Sequence, residues 1–318
     1  MPSGTPGASL LRDAVVLCTS AAKPSANARG GDLPVMDSGA LARIQEAGMH
    51  VFLLHEDALT KPAIARLRAD LPAGVVVGPV ISDYGQGREM LANLSPIPVV
   101  AASDDPLWSR CDRVISDHEA GAFALTSWLL EQGKRRILRI WPEQKSVPYW
   151  LQARNKGFER ALATAGLQPM PAMFAPPSRA VLGLVEDEDR AVFSSDVRLL
   201  GGYLIEYLSG SNPKIDAIMA ASDSASYLAS AACRLFGLEP NKDVWVVGYD
   251  NFWEEERVRR FEPSAPIATV EKKNHLIGQS MVDLLRERIA GQLPVEPQRR
   301  VMQPELVVLD RAPALATV

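Results

Sequence analysis

Cysteine is scarce. Cys18, Cys111 and Cys233 are the only three, odd in number and far apart. That spacing excludes a disulfide framework and a CxxC metal site and points to a reducing compartment, with each thiol acting as a small buried apolar group. A basic excess is also missing: the formal net charge is -4, which is not the footprint of a nucleic-acid surface. No run approaches the ~20 apolar residues of a membrane span. Ala14–Cys18 (AVVLC) lacks a basic stretch before it and follows Asp13; it is shorter than the roughly 7–15 apolar residues of an export signal. Asp13–Thr19 therefore reads as a strand, and the chain is expected to stay in the cytoplasm. There is no GxSxG elbow, no GxxxxGKS/T phosphate loop and no GxGxxG after a strand, so the enzyme classes built on them are excluded. His50, His55 and His275 are scattered without HExxH-like spacing. No metal, no cofactor and no catalytic residue is expected.

What is present is an ordinary soluble composition, 47% hydrophobic and 23% charged over 318 residues, long enough for two domains. Met1–Leu11 is Ser/Gly/Pro-rich and reads as a loose leader. Short apolar runs at Asp13–Thr19, His50–Leu54, Gly74–Val80, Ile97–Ala101, Arg113–Ser116 and Arg136–Trp141 predict strands. Between them Gly39–Ala47, Lys61–Leu71, Arg88–Leu94 and Asp117–Gln132 have helical character. The second half repeats the pattern, with helices over Trp150–Ala165, Ser195–Leu208, a short charged one over Phe252–Arg260, and Asn274–Ile289, whose Leu276, Ile277, Val282, Leu285 and Ile289 form one apolar face. Strands are expected at Met170–Phe174, Ile267–Val270 and Met302–Leu309. Such alternation specifies α/β folding with doubly wound parallel sheets.

The stretch Ile215–Asn251 organises the rest. Ile215–Ala221 reads as a buried strand, Asp223 as the cap of a helix that Gly237 stops, and Asp243–Gly248 as a second buried strand. That is one parallel βαβ unit. Ligands bind beyond the carboxyl ends of strands in such sheets, which makes Ser222, Asp223 and Asp250 candidates. For Asp223 and Asp250 the competing role is a helix-capping carboxylate.

DAIMAASD and VWVVGYDN within this stretch resemble the effector-binding core of the LacI/GalR family of bacterial repressors, which shares its fold with periplasmic sugar-binding proteins. DHEAGAFALTSWLLEQGKRRI (Asp117–Ile137), RNKGFERALATAGL (Arg154–Leu167) and IATVEKKNHLIGQSMVDLLRERIAG (Ile267–Gly291) match in the same order. The resemblance runs from about Val99 to the end, and Asp13–Pro98 fits in element order. It implies two doubly wound lobes hinged around a cleft, the periplasmic binding protein-like type I arrangement. One lobe would hold 12–141 plus 267–293, the other 142–266 plus 294–318, with crossings near Trp141–Gln144, Arg260–Ile267 and Leu293–Met302. It also implies sensing by lobe closure, with a helix-turn-helix headpiece carrying the report to operator DNA. Only about a dozen residues precede Asp13, so this chain alone is not expected to bind operator specifically. A stand-alone or exported sugar receptor of a transport system is the alternative.

The resemblance also distributes roles. Asp250 would accept from sugar hydroxyls or a nucleobase. Arg154, otherwise a solvated helix arginine, would donate a fork of hydrogen bonds from the other side. Ser222 stands where the family often has Asn or Asp. Trp141, Tyr149 and Trp150 flank a lobe crossing, where one ring is expected to stack on the ligand; Phe193, placed in a loop before the Ser195 helix, is a similar candidate. Asp104 follows a strand end where relatives carry an Asp-Arg pair, although no arginine follows here until Arg110. Capping explains His118 and Glu119 as well as ligand contact does. No aromatic residue precedes His50, a departure from the Asn-Pro-Phe-type first-strand loop of the family. The expected partners are a small effector (sugar, or nucleobase or nucleoside) and a second copy, paired through faces that include Asn274–Ile289; no membrane is expected.

Overall fold

A computed structural model describes residues 13–20, 34–144, 147–177, 189–210 and 212–309. The expected leader and nearly all of the loop after the first strand lie outside these residues. The chain runs β1 (Ala14–Thr19), α1 (Val35–Glu46), β2 (His50–His55), α2 (Lys61–Asp70), β3 (Gly74–Val77), α3 (Pro79–Tyr84), α4 (Arg88–Ala92), β4 (Val99–Ala101) and β5 (Asp112–Ser116). It continues through α5 (His118–Glu131), β6 (Ile137–Pro142), α6 (Tyr149–Thr164), β7 (Met173–Ala175), α7 (Asp189–Leu208), β8 (Ala217–Ala220) and α8 (Asp223–Leu235). Last come β9 (Trp245–Val247), β10 (Ala268–Glu271), α9 (Asn274–Ile289), β11 (Arg299–Met302) and β12 (Glu305–Val308).

The strands form two six-stranded sheets, one in each of two compact units. In the first unit the order is β2-β1-β3-β4-β5-β11, and every pairing is parallel. A sheet covered on both faces reads as a continuous apolar run, and β1 and β3 are buried throughout. Alternate residues serve opposite faces. Val16, Cys18, Val75 and Val77 pack with Ile64, Ile81 and Trp108. Val15, Leu17 and Val76 pack with Met36 and Ile44 of α1 and with Ile277, Met281 and Leu285 of α9. α1 and α9 approach so closely that a methyl group on Gly278 would overlap the Met36 carbonyl oxygen, and one on Gly39 the His275 carbonyl oxygen. The apolar face expected on α9 divides: Ile277, Val282 and Leu285 are buried, whereas Leu276 and Ile289 are exposed.

In the second unit the order is β7-β6-β8-β9-β10-β12, parallel except that β12 runs antiparallel to β10. Ile140, Ile218 and Val246 meet Phe193, Leu204, Tyr227 and Leu228 in its core. All three cysteines are free and buried. Among the described residues no helix is long and apolar enough to cross a membrane.

Two doubly wound sheets were expected; the boundaries between them differ. The first unit takes Met1–Asp117, Pro148–Trp150 and Lys273–Met302, and the second His118–Val147, Leu151–Lys272 and Gln303–Val318. Hydrogen bonding decides this. β6 was placed in the first lobe, but Ile137 pairs with Ala217 of β8 and Trp141 with Phe174 of β7. β10 was also placed there, and it pairs with β9 and β12. The last strand expected over Met302–Leu309 is β12, pairing β10 in the second sheet, and β11 before it, which was not expected, pairs β5 in the first. The charged helix expected over Phe252–Arg260 is one 3-10 turn, Arg257–Arg260, and α7 begins upstream of Ser195.

Candidate functional site

β8, α8 and β9 form the expected βαβ unit, with Ala217 opposite Trp245 and Met219 opposite Val247. The strand order reverses between β6 and β8, and the crevice beyond the carboxyl ends at such a switch point is where open α/β sheets bind ligands. Arg154 projects there from α6. Its side chain is 3% exposed. Nη1 donates to the Ala221 carbonyl at 2.7 Å, and the guanidinium lies 3.5 Å from the centroid of the Tyr249 ring, a cation–π placement. Asp250 Oδ1 is 3.8 Å from Arg154 Nη2 and 2.8 Å from Lys272 Nζ. The carboxylate is thus shared by two cations while its side chain keeps 30% exposure.

The backbone under Asp250 is held in a rare shape. Asp250 has φ 103 and Asn251 φ 54, values that cost a non-glycine residue of order 1–3 kcal/mol unless the surroundings enforce them. The enforcement comes from Asp223, which is fully buried. Its Oδ2 accepts from Phe252 N at 2.7 Å and its Oδ1 from Thr269 Oγ1 at 2.7 Å. Its own N–H donates to the Tyr249 carbonyl at 2.9 Å, and Asn251 N–H donates to Thr269 Oγ1 at 3.2 Å. Burial pushes the Asp223 carboxyl up to about 7, partly offset by the Thr269 hydroxyl. Nearby, the Ser224 hydroxyl donates to Glu256, whose carboxyl burial also raises. His118 is buried; desolvation, with Arg154 and Lys272 close by, holds its imidazole well below the ordinary range and therefore neutral.

Arg154 and Asp250 are brought together as expected, with Ser222 at the adjoining strand end. Contacts within the chain engage the other candidates, although Ser222 and Trp141 also line the pocket described below. Ser222 is the helix cap, accepting from Ala225 N at 3.2 Å, and Asp223, expected as cap or ligand contact, is enclosed by its own hydrogen bonds. Phe193 lies inside α7 rather than in a loop and is a core residue, 5.3 Å from the Phe261 ring. Trp141 is buried and donates from Nε1 to Asn155 Oδ1 at 3.1 Å. Tyr149 and Trp150 cluster with the first unit, where Trp150 Nε1 donates to the Tyr84 hydroxyl at 2.8 Å. Asp104, also in the first unit, is gripped by Arg113 Nη1 at 2.9 Å and by Arg299 Nε at 3.0 Å and Nη2 at 2.8 Å. That occupancy makes it a clip between β5 and β11 rather than a free acceptor.

Lys272 and the Tyr249 platform were missed. Lys272 directly follows β10, so the strand-end rule that selected Asp250 selects it too. Arg154 and Lys272 can donate and Asp250 can accept, a set that orients a polar ligand. Among the described residues no group of three or more His, Cys, Asp or Glu side chains could hold a metal ion.

A pocket of about 290 Å³ opens at the same switch point. Trp141 and Pro142 at the end of β6, Ala175–Pro177 at the end of β7, and Ala221 and Ser222 at the end of β8 line it, together with residues of α7 and α8.

The chain resembles curated bacterial regulators. It is 26% identical over 225 residues to the HTH-type transcriptional repressor PurR of Vibrio vulnificus (strain CMCP6), covering 70% of this chain and 59% of that protein. It is 30% identical over 194 residues to the HTH-type transcriptional regulator CelR of Thermobifida fusca, covering 61% and 50%. The chain thus spans little more than half the length of these relatives. Among solved structures, a transcriptional regulator CelR–cellobiose complex aligns over 93% of this chain and 83% of that one, with TM-score 0.69 and 21% identity. A regulatory protein of the LacI family from Chloroflexus aggregans covers 93% and 96%, with TM-score 0.67 and 20% identity. These structures share the fold of two mostly parallel α/β sheets. The sequence model described as periplasmic binding protein-like domain matches residues 126–309, more than half of the chain, which therefore belongs to the family of periplasmic binding protein-like domains.

Proposed function

We propose that this chain is the effector-binding part of a LacI-type transcriptional regulator, and that Arg154, Asp250 and Lys272 hold a small polar effector at the strand ends of the second unit. The observation that carries the reading is the buried, stacked and hydrogen-bonded guanidinium of Arg154 beside a carboxylate that stays partly exposed on a strained backbone. Both are held by contacts within the chain, so little ordering cost falls on binding. A sugar is the first expectation, supported by the cellobiose bound in the CelR structure; a nucleobase or nucleoside is the second. Occupancy is reported by a shift between two arrangements of the units, passed to operator DNA through a headpiece, and the protein acts in the cytoplasm without catalysing a reaction.

A homodimer belongs to the same proposal. Ile205 on α7 and Leu235 on α8 are exposed apolar side chains of the second unit, and α9 adds Leu276 and Ile289 in the first. Light scattering that returned a monomer mass at high concentration would remove this part.

The test is a thermal-shift screen against pentoses, hexoses, uronic acids, disaccharides and purines. A ligand at about 100 times its dissociation constant adds about 2.7 kcal/mol of stability, several degrees in midpoint. The expected result is a hit abolished by both Arg154→Ala and Asp250→Ala. A hit indifferent to both substitutions overturns the site.

A further inference from the structure

The pocket at the switch point has a composition that sugar hydroxyls do not explain. Its exposed surface is mainly apolar, with Trp141, Pro142, Leu200 and Leu228 in the wall, and Gln144, Asp196, Tyr203 and Ser222 are its polar side chains. Of its polar side chains, Ser222 already caps α8 through Ala225 N. A hydroxyl set against the apolar part of this wall gives up its water bonds without replacement, which is unfavourable. An apolar group gains there instead.

Two further observations tie the pocket to the polar site. It sits at the carboxyl ends of β6 and β8, where the strand order reverses. Ala221 also serves both places: it lines the pocket, and its carbonyl accepts from Arg154 Nη1. A molecule held by Arg154, Asp250 and Lys272 therefore has an apolar compartment against the next residue of its own binding wall. At about 290 Å³ the compartment has room for a ring and its substituent, since a dry cavity of about 150 Å³ accepts benzene.

Resting on the effector-site reading above, we propose that the natural effector is amphipathic: a polar head of sugar-like hydroxyls or a comparable donor–acceptor group, joined to an aryl or branched alkyl group that enters the pocket beside Trp141 and Leu200. The effector class is thus an apolar glycoside or similarly substituted polar molecule rather than a free sugar.

The experiment is isothermal titration of the whole chain with matched pairs: glucose, galactose and glucuronic acid, each against its p-nitrophenyl β-glycoside. In at least one pair the aryl member is expected to bind roughly tenfold or more tightly. Ala225→Phe, which fills the pocket from a half-buried position on α8, and Leu199→Asp, which places a charge on its exposed rim, should each bring the aryl member down to the affinity of the free sugar. Circular dichroism melts establish that both variants fold. Pairs of equal affinity, a panel in which no aryl member binds, or an aryl advantage that survives both variants overturns the proposal. Arg154→Ala separates it from the site reading. If the polar site is right, this substitution weakens both members of the pair. An aryl advantage that is lost in Ala225→Phe but untouched by Arg154→Ala keeps the pocket and sinks the polar site.

Discussion

At the switch point of the first unit, between β1 and β3, the Thr19 hydroxyl donates at 2.6 Å to Asp37, a buried aspartate in the first turn of α1. Gly78, at the end of β3, has no side chain, and a methyl group there would strike that carboxyl. The second unit uses the same three parts. Thr269 donates to Asp223 in the first turn of α8, and a methyl group on Gly248 would strike the Asp223 carboxyl. The difference is placement. Asp37 sits across the two strand ends where the order reverses, whereas Asp223 sits across β8, β9 and β10, away from the reversal. In the second unit the crevice between β6 and β8 stays open as the pocket, and the displaced carboxyl fastens the loop that carries Asp250. One packing device therefore spans the reversal in one unit and supports the Asp250 loop in the other.

The contrast can be broken from several sides. Gly278→Ala should have the largest effect, about 3 kcal/mol of lost stability, because the added methyl meets backbone of α1 that cannot move aside. Urea melts measure it, and a loss under 1 kcal/mol would mean that the α1–α9 approach is not tight. Arg154→Lys comes next. It keeps the charge but loses the fork and the stacking plane, and should weaken effector binding by about 2 kcal/mol, read by titration with whichever compound the screen returns.

The third test uses pH. Burial raises Asp37 to about 6 and Asp223 to about 7, above the ordinary aspartate value of about 4. The folded state holds both protons more tightly than the unfolded chain. Each residue thus adds stability that is complete below about pH 4 and is lost as pH rises through about 6 for Asp37 and about 7 for Asp223. His118, kept neutral by burial, acts oppositely: its share is present above about pH 6.5 and falls as the solution becomes more acidic. Melting Asp37→Asn and Asp223→Asn across pH 4–8 should show flatter profiles than the parent, with the larger flattening for Asp223→Asn. Equal slopes in all three proteins would remove the proposed titrations. The smallest effect belongs to Asp104→Ala, which frees Arg113 and Arg299 in a partly exposed cluster and should cost about 1 kcal/mol, with effector affinity unchanged. A large loss of affinity would return Asp104 to the binding site.

The alternation of strands and helices was legible because a parallel sheet demands buried runs of its strands and amphipathic cover from its helices. Sheet membership was not. The residues of β6 read as a buried strand whichever sheet receives them, and only the pairing of Ile137 with Ala217 decides. That Arg154 and Asp250 come together was legible through resemblance and through their complementary donors and acceptors. Phe193 misled because an aromatic side chain fits a core and a ligand wall equally well, and its partner Phe261 is remote in sequence. Asp104 misled for a related reason: Arg299 arrives from a strand near the far end of the chain.

That late arrival has a consequence for synthesis. The ribosome completes β1 to β5 early, yet α9 and β11, which cover and edge that sheet, emerge only after nearly all of the second unit has been made. Until then Val15, Leu17 and Val76 lack the apolar side of α9. The nascent first unit is thus a half-covered sheet whose waiting time is set by the translation of its neighbour, and slow codons within the second unit would lengthen the exposure that chaperones must shield.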